Sequence, residues 1–412
     1  MSVTQVGVKT DGQRFLFGDV YPDLSVKPKN IETEGIKYIG SKKEILPKIL
    51  LILALLRKQT SIKTILDGFS GSTRVTQMLA KSGFDVLSND TAIYSRIFAE
   101  CYLMTKKNKE YYAKKIEKLN VLEGKSGWFS KHYGGTDNDG LSVGDDGKKK
   151  MWQLHNTKKL DAVLEAIHAE QDEQDKNVLL TSLILGLDKV DSSLGHQVSY
   201  LKEWAKRSYN ELALKVPNYF INSGNHAVYN KDIFELINEI DVDVAYYDPP
   251  YCSNNEKMPA SRVRYNSYYH IWTSICLNDI PEVFGACNRR LDTSDKTAIS
   301  VFEEFRKDTE TDDYITTLKI KELIQKTSAK FIIFSYSSSG RTDKKSFKRI
   351  LNELGLNFLF YEFNYKKNIM HALKSTNEWV NEQGNREYLI VIDKYGVLDL
   401  EKVEKGLTST PL

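Results

Sequence analysis

The chain has little of what marks several common protein classes. Of its 412 residues only four are cysteines, and none has a partner at Cys-x-x-Cys spacing. This pattern argues against a zinc site and a disulfide framework, and it favours a reducing environment. The first 14 residues lack the apolar core of a signal peptide, and the most apolar run, residues 49–56, is too short to span a bilayer. We therefore expect a cytoplasmic protein without a membrane segment.

Other absences narrow the chemistry. The net charge is only +3, so a surface that binds nucleic acid must be a local one. The sequence contains no metal-type cluster of histidines, cysteines and acids and no Ser-His-Asp spacing, so we expect neither a metal nor a triad hydrolase. The composition is that of a globular protein, with 41% hydrophobic and 27% charged residues. The 23 tyrosines suit stacking on flat rings, although tyrosine content alone is not diagnostic.

The most informative stretch is Asp248-Pro249-Pro250-Tyr251. It follows residues 242–247, whose β-branched and aromatic side chains predict a buried strand. The two prolines cannot continue a strand because they have no N–H to donate, and they also stiffen the chain. The sequence therefore predicts a rigid loop at the carboxyl edge of a sheet, which is the edge where open α/β sheets bind ligands.

A second loop has the composition of a nucleoside-binding site. Residues 62–66 predict a short strand, residues 67–73 a glycine-containing loop, and the following residues a helix. Residues 83–90 predict the next strand, which ends in Asp90. Glycines let the backbone approach a ligand closely, and an acid about 20 residues past such a loop is placed to bind a ribose hydroxyl. The loop lacks the Lys-Ser/Thr pair of a phosphate loop, which disfavours an NTPase.

The rest of the chain alternates strands and helices, except in the middle. From about residue 100 to 240 helical spacing dominates, and this region is either a helical lid or a DNA-facing insertion. Pro47 lies inside a predicted helix and is expected to kink it. Further predicted elements are a strand and a helix start in 227–234, a strand at 331–336, a helix at 344–354, and strands at 358–363 and 387–392 that pair at the sheet edge.

Together the two loops permit chemistry on an amine attached to a flat ring. The Asp248 carboxylate and the Pro249 carbonyl can accept hydrogen bonds from the amine and draw its lone pair out of conjugation. Tyr251 can stack on the ring that carries the amine. Methyl transfer to an amine needs mostly positioning and electrostatics, and a base inside a duplex must first be flipped out.

These motifs, in this order, resemble the alpha-group (Dam-like) DNA adenine amino-methyltransferases. The order runs from residues 38–42 (Tyr-Ile-Gly-Ser-Lys) through the 67–73 loop and a long insertion to Asp248-Pro249-Pro250-Tyr251. Within this group the chain is similar to the longer modification methylases of type II restriction systems, of the FokI kind, over roughly residues 35–395. The resemblance implies an α/β fold with a Rossmann-like S-adenosylmethionine methyltransferase sheet, helices on both faces and a mostly helical inserted target-recognition region.

The resemblance also implies roles for individual residues. The implied cofactor-binding residues, for S-adenosyl-L-methionine, are Tyr38 (Trp in many relatives), Lys42, Asp67, Phe69, Gly71, Asp90 at the ribose and Asp232 beside the adenine. The implied catalytic residues are Asp248 and Pro249, which hold the target amine, Pro250, which fixes the loop, and Tyr251, which stacks on the target base. The expected DNA-binding residues are Tyr200, Lys202, Lys206, Arg207, Arg262 and Arg264.

We therefore expect a site-specific enzyme that methylates the exocyclic amino group of adenine in double-stranded DNA. It would be the modification arm of a restriction-modification system, with a restriction endonuclease encoded nearby. The alternatives are methylation of another amine, on cytosine, RNA or a protein glutamine, or a catalytically silent DNA-binding subunit. The expected parts are an N-terminal arm (1–34), a cofactor-binding part (35–105), the inserted target-recognition region (106–222), a catalytic part (223–400) and a C-terminal tail (401–412).

Overall fold

The computed structural model describes residues 31–221, 223–251, 264–294, 300–364 and 386–410. The strands within these ranges are β1 (Thr64–Asp67), β2 (Asp85–Asn89), β3 (Gly134–Gly135), β4 (Trp152–Gln153), β5 (Ala227–Tyr229), β6 (Val242–Tyr247), β7 (Val283–Phe284), β8 (Arg289–Arg290), β9 (Ala329–Ser337), β10 (Asn357–Asn364) and β11 (Arg386–Asp393). β3 pairs with β4 and β7 with β8 in two small sheets, while the other strands form the main sheet. The fold is therefore mixed α/β.

The main sheet has seven strands in the order β10-β11-β9-β6-β1-β2-β5. β5, β2, β1, β6 and β9 run parallel, whereas β11 is antiparallel to both of its neighbours, β9 and β10. The predicted pairing of the two late strands at the sheet edge is confirmed. The carboxyl ends of the five parallel strands therefore share one edge with the amino end of β11.

Helices connect and cover the strands. In the described ranges they are α1 (Leu46–Arg57), α2 (Arg74–Lys81), α3 (Ile93–Ala99), α4 (Lys109–Asn120), α5 (Trp128–Tyr133), α6 (Leu154–His168), α7 (Glu173–Lys189), α8 (Ile233–Leu236), α9 (Tyr265–Tyr268), α10 (His270–Leu277), α11 (Ile315–Lys326), α12 (Lys344–Glu353) and α13 (Leu400–Ser409). Short 3-10 turns occur at Lys43–Ile45, Lys206–Tyr209, Leu291–Thr293 and Val301–Glu303, and a π turn at Glu100–Met104. Among the helices placed in these ranges, we find none with both the length and the apolar character needed to cross a membrane.

The strand side chains alternate between two separate hydrophobic cores. On β6, Val244 and Tyr246 enter one core with side chains of α1, α2 and α13, and Ala245 and Tyr247 enter the other with side chains of α8, α11 and α12. This alternation follows from the two-residue period of a strand, and it buries both faces of the sheet. We call the first core the α1-side core.

Two local expectations need correction. Pro47 does not kink a helix, because α1 begins at Leu46 and the proline occupies its first turn, where a helix needs no N–H donor. Most of the predicted C-terminal tail is α13, whose Val403 and Leu407 are buried in the α1-side core. Burial of these two side chains ties the segment to α1.

A third core organises the helical region between β2 and β5. Side chains of α3, α4, α6 and α7 meet there, together with side chains of α10, which follows β6 in the chain. The expected lapse of the strand–helix rhythm therefore coincides with a separate helical core. This core also draws on α3, which precedes the predicted insertion, so the boundary at residue 106 stays a prediction.

Candidate active site

A cleft opens at the carboxyl edge of the main sheet, beside the ends of β2 and β6. It encloses about 680 Å³ of empty space, part of it open to solvent. Its lining residues are Tyr38, Gly40, Lys42, Phe69, Asp90, Thr91, Ala92, Tyr94, Asp248, Pro249, Pro250, Tyr251, Tyr265, Asn266, Ser300 and Glu303. The two loops singled out in the sequence therefore meet at one cavity.

The centre of the cleft is an ion pair between Lys42 and Asp248. Lys42 Nζ lies 2.9 Å from Asp248 Oδ1, and it also donates to the Gly40 carbonyl at 2.9 Å. The lysine side chain is 7% exposed and the aspartate 15%, so solvent screens the pair weakly. Burial raises the pKa of Asp248, and the charge of Lys42 opposes that rise. The lysine thus favours the ionised, acceptor-only form of the carboxyl group.

Strand alternation brings further acids to the same side. Asp67 lies two residues after Ile65 of β1, and Glu387 two residues before Leu389 of β11; both apolar residues belong to the α1-side core. Burial raises the pKa of Asp67 to about 7, opposed by a hydrogen bond from Thr76 Oγ1. Burial likewise raises the pKa of Glu387 to about 7, opposed by the charge of Lys42. Lys42 therefore pairs with Asp248, and its charge also acts on Glu387.

Tyr251 connects the loop to the sheet beneath it. Its hydroxyl lies 3.0 Å from Ser335 Oγ and 3.5 Å from Glu387 Oε2. Its ring centroid lies 4.6 Å from Lys42 Nζ, within the range of a cation–π contact. The ring also packs against Tyr336, whose hydroxyl donates to the Tyr251 carbonyl at 3.3 Å. Both ends of the side chain are thereby held.

The other side of the cleft is formed by the loop after β1. Gly71 has a φ of +48°, and a Cβ there would lie 3.0 Å from the ring of Tyr38. Glycine therefore permits both the left-handed turn and the close approach of this ring. The Asp90 carboxylate accepts hydrogen bonds from the N–H groups of Gly71 and Ala92, each at 2.8 Å. Asp90 thus fixes the loop as well as lining the cleft.

Tyr265 and Tyr269 hold the chain segment around Tyr38 in place. The ring of Tyr269 stacks on that of Tyr38 with centroids 4.6 Å apart. The Tyr269 hydroxyl accepts the N–H of Ile39 at 2.7 Å, and the Tyr265 hydroxyl donates to the carbonyl of Ile39 at 3.1 Å. The residues on the two sides of the cleft are therefore linked by direct hydrogen bonds.

Most of the residues predicted for the site come together. Those that line the cleft are Tyr38, Lys42, Phe69, Asp90 and the four residues Asp248 to Tyr251. Asp67 and Gly71 are buried just behind this lining. Asp232 is exposed and caps α8 by accepting the Phe234 N–H at 2.8 Å, so its predicted cofactor contact remains a prediction.

The residues predicted to bind DNA are scattered. Lys202 and Lys206 are exposed, whereas Arg207 is half-buried and donates to Asp191 at 2.9 Å. The expectation that Tyr200 faces DNA needs correction, because its side chain is 3% exposed and its hydroxyl donates to the carbonyl of Cys287. Arg264 is buried, and Arg262 lies outside the described residues.

Several acids of the site were missed by sequence reasoning. Glu303 lines the cleft and accepts the Tyr265 N–H at 2.8 Å. Burial raises its pKa to about 7, and that hydrogen bond opposes the rise. Glu303 lies in an irregular segment that carries no sequence signal. Glu387 has a signal, because the amino end of an antiparallel strand reaches the same edge as the carboxyl ends of parallel strands.

The cleft fits a cationic cofactor. Its carboxyl groups outnumber the lysine that pairs with them, so a positive charge inside it would be stabilised. Asp67 Oδ1 is buried and has no hydrogen-bond partner among the described residues, which leaves an acceptor for a donor group. No group of three or more His, Cys, Asp or Glu side chains in the described ranges is arranged to hold a metal ion.

Comparison with known proteins yields several relatives. The modification methylase StsI of Streptococcus sanguinis is 28% identical over 343 residues, covering 78% of this chain and 47% of the relative. The type II methyltransferase M.FokI of Planomicrobium okeanokoites is 26% identical, covering 81% of this chain and 49% of the relative. The chain thus spans about half the length of these two proteins. It covers 92% of the type II methyltransferase M.NlaIII of Neisseria lactamica, at 24% identity.

A family model extends this similarity to the residues of the cleft. The D12 class N6 adenine-specific DNA methyltransferase model matches residues 38–329, well over half of the chain. The match begins at Tyr38 and includes the Gly71 loop, Asp90 and the Asp248-to-Tyr251 loop. The chain belongs to the D12 class of N6 adenine-specific DNA methyltransferases.

Proposed function

We propose that this protein transfers a methyl group from S-adenosylmethionine to the exocyclic amino group of adenine at specific sites in double-stranded DNA. The observation that carries the proposal is the buried Lys42–Asp248 pair, 2.9 Å apart, with the ring of Tyr251 beside it in the cleft. Family membership and the names of the relatives support the same reaction.

The target side of the site supplies acceptors and a stacking surface. Asp248, whose ionised form Lys42 favours, and the Pro249 carbonyl accept the two N–H groups of the amine. Accepting both makes the amine nitrogen pyramidal and frees its lone pair, which raises its nucleophilicity. Tyr251 stacks on the adenine after the base leaves the duplex. Pro250 limits loop motion, so little ordering is needed when the base arrives.

The opposite side of the site would hold the cofactor. S-adenosylmethionine supplies an electrophilic methyl group on a sulfonium, and its positive charge matches the acidic cleft. Asp90, which follows β2 and lines the cleft, would accept from ribose hydroxyls, and Tyr38 and Phe69 would offer ring surfaces. Asp67, with one free buried oxygen, would accept from a donor of the cofactor. The carboxyl-edge position of the cleft supports a Rossmann-like methyltransferase sheet.

The helical region between β2 and β5 is proposed to recognise the DNA target. It packs around its own core, and Tyr38 and Tyr265 of the cleft lining pack against that core, so it lies beside the site proposed for the reacting base. Exposed Lys202 and Lys206 suit phosphate contacts. The names of the relatives support a role as the modification enzyme of a restriction-modification system, acting on cytoplasmic DNA with a cognate endonuclease encoded nearby.

The test is incubation of the purified protein with S-adenosylmethionine labelled in the methyl group and with unmethylated genomic DNA. Digestion to nucleosides should place the label in N6-methyladenine, and base-resolution mapping should give a discrete recognition site. Label in a cytosine amino group or in added RNA would replace the proposed substrate. Absence of cofactor binding by calorimetry would instead favour a silent DNA-binding subunit.

A further inference from the structure

Glu387 is a buried acid at the base of the target loop, and the roles described so far do not use it. It lies near the start of β11, opposite Ser337 of β9, and is 6% exposed. The strand alternation that buries Leu389 in the α1-side core directs Glu387 to the same face. On this face the Glu387 carboxyl group contacts the hydroxyl of Tyr251.

Two contacts of the Tyr251 hydroxyl come from adjacent strands, in addition to a hydrogen bond with Asp248 of its own loop. Ser335 of β9 lies 3.0 Å from this hydroxyl, and Glu387 of β11 lies 3.5 Å from it. Lys42 Nζ is bonded to Asp248 and to the Gly40 carbonyl, and its charge also favours the ionised form of Glu387. The Glu387 side chain lies within hydrogen-bond distance of the Tyr251 hydroxyl.

A carboxyl group in this position is costly for the fold. Removing an acid from water disfavours its charged form, and burial raises the pKa of Glu387 even though the charge of Lys42 opposes the rise. An apolar residue near the start of β11 would carry no such desolvation cost, as the complete burial of the nearby Leu389 illustrates. The position therefore favours a role at the cleft over a role in stability.

We propose that Glu387 is a positioning residue for the target base, acting through the Tyr251 hydroxyl that it shares with Ser335. The inference rests on the proposed function, in which Tyr251 stacks on the flipped adenine. A hydroxyl held at two points fixes the rotation of the ring, and the ring fixes the base relative to Asp248. Misplacement of a reacting group by about 1 Å can cost on the order of 100-fold in rate.

A double-mutant cycle tests this assignment. Glu387→Met removes the carboxyl group at similar length, and Tyr251→Phe removes the hydroxyl on which it acts. We expect each single variant to lower kcat roughly ten-fold, with the KM for S-adenosylmethionine unchanged. The double variant should be no slower than Tyr251→Phe alone, because Glu387 has nothing to hold once the hydroxyl is gone.

A rescue variant and a matched control sharpen the cycle. Glu387→Gln keeps an acceptor for the hydroxyl and should recover most of the rate lost in Glu387→Met. Glu362→Gln changes an acid of the neighbouring strand β10 that pairs with Lys344 and Arg386, and it should leave kcat unchanged. If Glu387→Met does not fold, Glu387→Ala takes its place in the cycle.

Base stacking gives a second readout that does not need methyl transfer. With 2-aminopurine at the mapped target position, Glu387→Met should change the fluorescence of the bound duplex as Tyr251→Phe does, and Glu362→Gln should not. Two outcomes would overturn the role of Glu387 and leave adenine methylation in place. One is a kcat of the double variant reduced by the product of the two single losses, and the other is a wild-type kcat in Glu387→Met. A wild-type protein that does not methylate adenine would overturn the proposed function and this inference together.

Discussion

The buried acid Asp175 and the buried acids at the cleft have opposite surroundings. Asp175, on α7 in the helical region, is fully enclosed by donors: Lys107 at 2.7 Å, Lys115 at 2.8 Å, and the hydroxyls of Tyr111 and Tyr112 at 2.6 and 2.9 Å. Burial opposes its ionisation, but these hydrogen bonds outweigh burial and lower its pKa to about 2. Its four donors satisfy the carboxylate completely, so it can only hold the helices together.

The acids at the cleft have fewer hydrogen-bond donors around them than Asp175 has. Asp248 shares Lys42 with its acidic neighbours, and the pKa values of Asp67 and Glu387 rise to about 7. Burial is the largest cause in each case, as it is for Asp175, so the difference lies in the number of donors. The site proposed to bind a cation and an amine keeps acceptors unfilled, whereas Asp175 fills all of its own.

The largest effect should come from Asp248→Asn. The substitution keeps the size of the side chain but replaces one acceptor with an amide that repels the N–H groups of the target amine. We expect kcat for adenine methylation to fall at least 100-fold, while S-adenosylmethionine still binds by calorimetry. Activity within ten-fold of wild type would remove Asp248 from the mechanism.

The matched change in the helical region, Asp175→Asn, should act on stability instead. It leaves two lysines and two tyrosine hydroxyls without their carboxylate, and breaking a buried pair typically costs about 3 kcal/mol. We expect a drop of this size in the free energy of unfolding, measured by urea titration. The kcat of the folded enzyme should stay close to wild type; a 100-fold loss there would erase the distinction between the two acids.

The smallest effect concerns the pH dependence of stability in Glu387→Gln. The folded pKa of Glu387 is about 7, above its usual 4.5, so its carboxyl group imposes no penalty below pH 4.5 and a growing one as pH rises through 7. A glutamine escapes this penalty. Relative to wild type, the variant should gain on the order of 2 kcal/mol between pH 5 and pH 8.

Thermal unfolding of both proteins at the two pH values measures this difference. The same comparison on Asp175→Asn should show no such gain, because the folded pKa of Asp175 lies near 2 and the residue is ionised throughout the interval. Equal melting differences at pH 5 and pH 8 for Glu387→Gln would mean that Glu387 is not held in its neutral form.

The sheet was the more predictable part of this molecule, for a local reason. Residues 242–247 carry β-branched and aromatic side chains between polar turns, and β6 occupies Val242–Tyr247 as predicted. Its proline loop forms the wall of the cleft, also as predicted. Such features depend on neighbours in sequence and can therefore be read from one chain.

The acid arrangement depends instead on contacts between distant segments. Lys42 and Asp248 are separated by more than 200 residues, and the sequence around either residue does not predict the ion pair. The burial of Tyr200 is likewise set by the helical core, although its polar and basic neighbours suggest a surface. Glu387 could have been found, because an acid near the amino end of an antiparallel strand beside parallel ones reaches the ligand edge.

The position of β11 has a consequence for the order in which the site is completed. This strand enters between β9 and β10, although it follows both in the chain. A nascent chain that has not yet emerged past residue 393 therefore lacks the strand that separates its two neighbours, and Tyr251 lacks Glu387. Pairing across such sequence distances is slow compared with helix formation. We therefore expect the contact between Glu387 and Tyr251 to be among the last features of the site to form during synthesis, after the chain that builds the helical core around α7 has emerged.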